Sequence, residues 1–238
     1  MPVISFANAK GGAGKTTAAL LLATELAHQG HRVVIIDCDP QHWISQWAEV
    51  SGRVRNLEVI SEVSVASLQC HLREMAGHTD FFIVDLAGAK DALVTTAIGL
   101  SDHVMIPVQG SAMDAKGAAQ ILDLLALMKE KANLAIPHSV VLTRVTSMVT
   151  TKALLAIKGL LAARGVNVLN TPIGERNAFK ELFEIGGTLH TLDPARVSNL
   201  EKARENAAAF AQEVVRLIPA KVVRSGKSRL VAFGRLAA

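Results

Sequence analysis

A chain of 238 residues with 50% hydrophobic and 19% charged residues can bury the core of one large α/β domain and is not broadly disordered. Its two cysteines, Cys38 and Cys70, exclude a disulfide scaffold, and the scattered histidines offer no Cys/His zinc spacing. The net charge of +4 belongs to the C-terminal end: Arg216, Lys221, Arg224, Lys227, Arg229 and Arg235 meet no acidic residue there, while the first 215 residues carry 19 basic and 21 acidic side chains.

The first predicted strand, residues 2–7, runs into Asn8-Ala9-Lys10-Gly11-Gly12-Ala13-Gly14-Lys15-Thr16-Thr17, and a helix over 15–29 follows. Strand, glycine-rich turn and helix are the context of a phosphate-binding loop. The glycines let successive N–H groups turn inward towards phosphate oxygens, and the helix N-terminus adds its positive dipole end. Lys15 is expected on the β- and γ-phosphates, and the Thr16 hydroxyl on Mg²⁺. The pattern G-x-x-x-x-G-K-[ST] is not met literally, because its first glycine falls on Ala9. A second lysine, Lys10, stands five residues before Lys15. If Lys10 points away from its own nucleotide it can serve a neighbour's, in the manner of an arginine finger supplied in trans.

The next strand, 32–37, ends in Asp37-Cys38-Asp39-Pro40-Gln41, and Trp43 and Trp47 lie four apart on a short helix after it. A strand at 57–60 and a helix at 65–76 lead to a strand at 81–85 that ends in Asp85-Leu86-Ala87-Gly88. Both acidic ends fall where ligands of open α/β sheets bind. Asp85, after four apolar residues, has the form of a Walker B aspartate that holds Mg²⁺. Asp39 is placed to orient an attacking water, or to cap the helix before Pro40. Asp37 is placed to hold Mg²⁺-bound water or to brace the loop. Gly88 would permit a switch segment after Asp85. Strands at 103–107, 139–143 and 166–169 alternate with helices at 115–131 and 151–164, and Asp193-Pro194 reads as the N-cap of a helix over 195–217. The continuously apolar strands and the βαβα rhythm predict a doubly wound, mostly parallel sheet with helices on both faces.

Lys-Gly-Gly-Ala-Gly-Lys-Thr-Thr, then Asp-Cys-Asp-Pro-Gln after the second strand, then Asp85, together resemble the ParA/MinD family of deviant Walker ATPases. The ordered motifs span residues 3–88, and Trp47 after Asp-Pro-Gln is similar to small plasmid-type ParA proteins. The resemblance implies a Mg²⁺-dependent ATPase that forms an ATP-sandwich homodimer in which Lys10 crosses to the partner's phosphates. It implies catalytic roles for Lys10, Lys15 and Asp39. Nucleotide contacts would run from Lys10 through Gly11, Gly12, Ala13, Gly14, Lys15 and Thr16 to Thr17, with Asp37. Thr16 and Asp85 would hold the metal. Arg144 and Pro172, which follow later strands, would flank the adenine. The family often has Pro-Pro after the Walker B aspartate, whereas Asp85 is followed by Leu-Ala-Gly-Ala-Lys.

The expected organisation is an ATPase domain over residues 1–218 and a basic tail over 219–238. The tail points to non-specific DNA contact through Arg216, Lys221, Arg224, Lys227 and Arg229, or to a solvated terminus. Arg176, Lys180, Lys202 and Arg204 are candidates for extending a basic face. The expected function is partition: ATP drives dimerisation, the dimer binds DNA, and a centromere-binding or cargo adaptor protein stimulates hydrolysis. With the loop starting at residue 10, no N-terminal helix-turn-helix domain and no site-specific autorepression are expected. No apolar run reaches the ~18 residues of a membrane span, so a cytoplasmic, nucleoid-associated protein is expected. A MinD-like membrane-positioning ATPase is the alternative, with residues 230–236 as a weak amphipathic anchor. A nitrogenase-like redox role is excluded, since no cysteine follows Cys70.

Overall fold

The computed structural model describes residues 1–88, 91–109, 112–145, 158–159 and 161–218. The elements run β1 (Val3–Phe6), α1 (Lys15–His28), β2 (Val33–Cys38), α2 (Trp43–Ser51), β3 (Leu57–Ile60), α3 (Val65–Glu74), β4 (Phe81–Leu86), α4 (Ala92–Leu100), β5 (His103–Val108), α5 (Ala112–Ala132), β6 (His138–Val145), β7 (Asn167–Val168), β8 (Ile173–Gly174), α6 (Asn177–Ile185) and α7 (Leu200–Leu217). The strands form one sheet in the order β3-β2-β4-β1-β5-β6-β7, with β8 also paired to β6. Every pairing is parallel.

Alternate residues of the strands feed two cores. Ile4, Phe6, Ile35, Ile83, Met105 and Val141 pack beneath α1, α2, α6 and α7. Val34, Ile36, Phe82, Val84, Ile106 and Val140 pack beneath α3, α4 and α5. Burial on both faces explains why these strands lack polar alternation. It also explains α1, whose Leu20, Leu21, Leu22 and Leu26 are all fully buried. Gly30 closes α1: its N–H reaches Ala27 O at 3.1 Å, and the His31 N–H reaches Leu26 O at 3.1 Å. This is the paired bonding of a Schellman cap.

The structure corrects the start of the last helix. Asp193 accepts the Ala195 N–H at 2.9 Å within a turn, and α7 begins only at Leu200 behind Asn199, whose φ is 54°. Asp193-Pro194 therefore opens a local turn, its Asp193 carbonyl accepting the Arg196 and Val197 N–H groups at 3.0 and 3.1 Å, and Leu189, Leu192 and Val197 pin this stretch to the core. Helices α4 and α6 and strand β8 add to the expected elements; Asp91 caps α4, its carboxylate accepting the Val94 N–H at 2.7 Å, and α6 buries Ala178, Phe179 and Leu182 on one face. Of the helix expected at 151–164, residues 158–159 and 161–163 are helical, and 151–157 and 160 lie outside the described residues. So does the tail from residue 219, including Lys221, Arg224, Lys227 and Arg229 and the apolar stretch 230–236.

Candidate active site

The loop between β1 and α1 is held from three sides. Asn8, 1% exposed, donates to Pro107 O at 2.7 Å and accepts the Lys10 N–H at 2.9 Å, tying the loop to the end of β5. The Gln109 amide donates to Gly12 O. The Thr143 hydroxyl at the end of β6 donates to Ala13 O at 2.8 Å. Gly14 occupies the N-cap of α1 with φ 92°, a conformation that costs a side-chain-bearing residue energy. A Cβ there would also lie 3.3 Å from Thr143. Gly88 brings the end of β4 over the loop, its Cβ position 3.3 Å from Ala9 O.

Lys15 is 5% exposed, and its ammonium donates to Lys10 O at 3.4 Å. Burial lowers its pKa, while the charges of Asp85 and Asp39 act to raise it. Asp85 is fully buried, and neither of its carboxylate oxygens has a hydrogen-bond partner. Burial pushes its pKa up to about 7, against the pull of the Thr16 hydroxyl and the Lys15 ammonium. A buried carboxylate with open lone pairs is costly in isolation. Beside a hydroxyl, it is the oxygen donor set that suits a hard divalent cation.

Asp37 braces α2. Its Oδ2 accepts from the Ser45 N–H at 3.0 Å and from the Ser45 hydroxyl at 2.7 Å. The buried carboxylate thus takes up an orphan donor of the helix's first turn. Asp39 does not cap that helix: it accepts the Gln41 N–H at 3.0 Å, and the N-cap position is His42, with φ 50°. His42 Nδ1 lies 3.9 Å from Asp37 Oδ2.

A cavity of about 450 Å³ opens beside the loop. Gly14, Thr16 and Thr17 line it from the start of α1, and Thr143 and Arg144 from β6. Arg144 has φ 51° at a bulge where the β6–β8 register shifts between Thr143 and Val145. Such a backbone on a non-glycine residue beside a cavity is strain of the kind that collects at functional sites. Pro172 is not among the lining residues; its carbonyl accepts from Asn206 Nδ2 at 2.8 Å. The following residues, Ile173 and Gly174, line the cavity in its place.

The other walls come from residues with no motif of their own. Trp43, 48% exposed, lines the cavity together with Arg176, Phe179, Lys180 and Phe183. Of these, Lys180 also pairs with Glu175 at 3.5 Å. Arg204 is spent locally, donating to Leu189 O at 2.8 Å and lying 3.3 Å from Glu201. Arg216 is exposed in the last turn of α7. Trp47 is 2% exposed and donates to Gly187 O at 2.9 Å. Cys38 is buried, and burial pushes its thiol up to about 12, which makes it inert. Among the histidines, His190 Nε2 lies 2.7 Å from Glu25 Oε1.

Residues 1–223 match the VirC1 protein family. Protein ParA of Rhizobium radiobacter is 37% identical over 214 residues, covering 90% of this chain and 96% of the relative. Protein virC1 of Rhizobium rhizogenes is 31% identical over 192 residues, 78% of this chain and 82% of the relative. Among solved structures, an ATP complex of Cyanothece McdA superposes with a TM-score of 0.71 at 18% identity, covering 90% of this chain and 96% of that one.

Proposed function

The chain belongs to the VirC1 protein family, within the ParA/MinD type of P-loop ATPases, and from that premise we propose that it is a partition ATPase. It binds ATP, dimerises on it, holds DNA without sequence preference and releases it when an adaptor on the cargo stimulates hydrolysis. The observation that carries this reading is the buried Asp85, open at both oxygens, set against Lys15 under a loop that bears a second lysine.

In this reading the Gly11–Thr16 N–H groups and Lys15 hold the β- and γ-phosphates. Thr16 and Asp85 would hold Mg²⁺, which offsets phosphate charge when bound. The Gln41 N–H fixes one Asp39 oxygen and leaves the other to orient a water. Lys10 reaches the nucleotide of the second protomer, so hydrolysis awaits dimerisation. The cavity between Arg144 and Phe179 takes the base and ribose; Arg144 is thereby kept as a contact, and Ile173 and Gly174 stand where Pro172 was expected.

Co-sedimentation tests the whole. With ATP and Mg²⁺, the protein should pellet with DNA of unrelated sequences and stay in solution with anionic liposomes, and Asp39→Ala should remain on DNA because it cannot turn over. Pelleting with liposomes alone would transfer the protein to the MinD-like reading. Indifference to ATP in both arms would remove the nucleotide switch.

A further inference from the structure

The buried side of the loop carries a contact that the nucleotide chemistry does not require. Gly117, in α5, packs directly on the Asn8–Lys10 turn. A Cβ at Gly117 would lie 2.2 Å from Asn8 Oδ1, 2.9 Å from Lys10 Cβ and 3.0 Å from Lys10 N. No carbon approaches an amide oxygen to 2.2 Å, so any side chain there displaces its neighbour. The neighbour cannot yield freely. The Asn8 carboxamide is fixed at both ends, to Pro107 O and to the Lys10 N–H, and the third atom is Lys10 backbone.

We infer that Gly117 is a positioning residue for Lys10: α5 sets the backbone from which the Lys10 side chain departs, through the buried Asn8 carboxamide. The inference rests on the reading that Lys10 serves the partner's nucleotide, and it deepens that reading. Lys15 and Thr16 belong to α1, and the Ala13 and Gly12 carbonyls are held by Thr143 and Gln109. The phosphate cradle therefore has anchors that do not pass through Gly117. A methyl at Gly117 moves Lys10 first, at the expense of the 3.4 Å contact from Lys15 to the Lys10 carbonyl, and leaves the Gly12–Thr16 part of the cradle on its own anchors. Alanine is also the better helix former, so the substitution strengthens α5 taken alone.

The test compares wild type, Gly117→Ala and the double variant Gly117→Ala/Asn8→Ser. Serine keeps a short acceptor for the Lys10 N–H and vacates the place of the amide oxygen. ATP affinity is read by equilibrium binding, and ATP-dependent dimerisation and turnover by sedimentation and phosphate release. The expected result for Gly117→Ala is ATP affinity within about threefold of wild type and at least about tenfold weaker dimerisation, that is, a loss of some 1.4 kcal/mol. The double variant should recover most of the dimerisation, which general loss of folding would not allow. Normal dimerisation and turnover in Gly117→Ala would overturn the inference. So would an equal loss of ATP affinity, because Gly117 would then support the whole cradle. A wild-type protein that binds ATP without dimerising would instead defeat the reading on which the inference rests.

Discussion

His103 opens β5 almost fully buried, 4% exposed, with Nε2 3.0 Å from the Ser139 hydroxyl. Burial holds its pKa down to about 4, against 6.5 for an exposed imidazole. At His103 the folded chain thus binds fewer protons than the unfolded one between these values, and this residue's contribution to stability falls as pH drops through that window. The loss reaches about 2 kcal/mol at pH 5. Asp85, raised to about 7, gains a proton on folding and opposes this loss over the same range, so the measurement is a comparison: in urea unfolding, wild type should stand about 2 kcal/mol lower relative to His103→Gln at pH 5 than at pH 7. Lys15→Ala removes the buried ammonium at the head of α1 and should abolish ATP binding by calorimetry while the fold survives. Both lysines, Thr16, Asp37, Asp39 and Asp85 were legible in the sequence as candidates because they fall in the glycine-rich loop after β1 and the first turn of α1, or at the ends of β2 and β4. Trp43, Arg176 and Phe179 were not, because they meet at the cavity only through the folding of distant segments.

Helix α7 serves the site without touching it. Glu213 accepts the Asn170 N–H at 2.7 Å and the Thr171 N–H at 2.8 Å. About two turns earlier, Asn206 accepts the Gly174 N–H at 2.9 Å and donates to Pro172 O. Two side chains of one helix thereby hold the segment that walls the cavity. Glu213→Ala should cost about 1–2 kcal/mol in urea unfolding and raise the ATP Kd about threefold if half of that loss is felt by the bound state. An unchanged Kd beside the lowered stability would confine α7 to a structural part. The same region marks where sequence patterning runs out. Strand β8 is two residues long, too short for any period. Asp193-Pro194 has the form of a helix start, but Leu192 and Val197 are drawn into the core and bend the chain into a turn first. The β1-to-β6 framework was legible because burial on both faces forces long apolar runs.

For the whole molecule, the distribution of charge sets the expected behaviour with salt. The body is net acidic, and every charged residue from Arg216 onward is basic. If the tail supplies roughly three to five phosphate contacts per protomer, a dimer doubles them, and log affinity falls with log salt at about −0.9 per contact. Truncation after Leu217 should therefore weaken DNA binding and flatten that slope while sparing ATP affinity, as a salt titration of DNA binding would measure. Unchanged affinity and slope would move the contact to the body. Lys10→Ala should bind ATP and fail to dimerise, and mixing it with Asp39→Ala should restore part of the turnover in one of the two composite sites.

The two tryptophans divide the chain's optical signal between them. There is no tyrosine, so ultraviolet emission comes from Trp43 and Trp47 alone. Trp47 is enclosed and Trp43 is half open to solvent at the cavity's edge. Blue-shifted emission from the first reports folding and is shielded from acrylamide. Red-shifted, quenchable emission from the second reports what fills the cavity. The unlabelled protein thus carries a spectrally separable pair of gauges: Trp43→Phe should silence the exposed one and leave the other intact, and an ATP-induced change in quenching that this variant loses would place the nucleotide in the cavity.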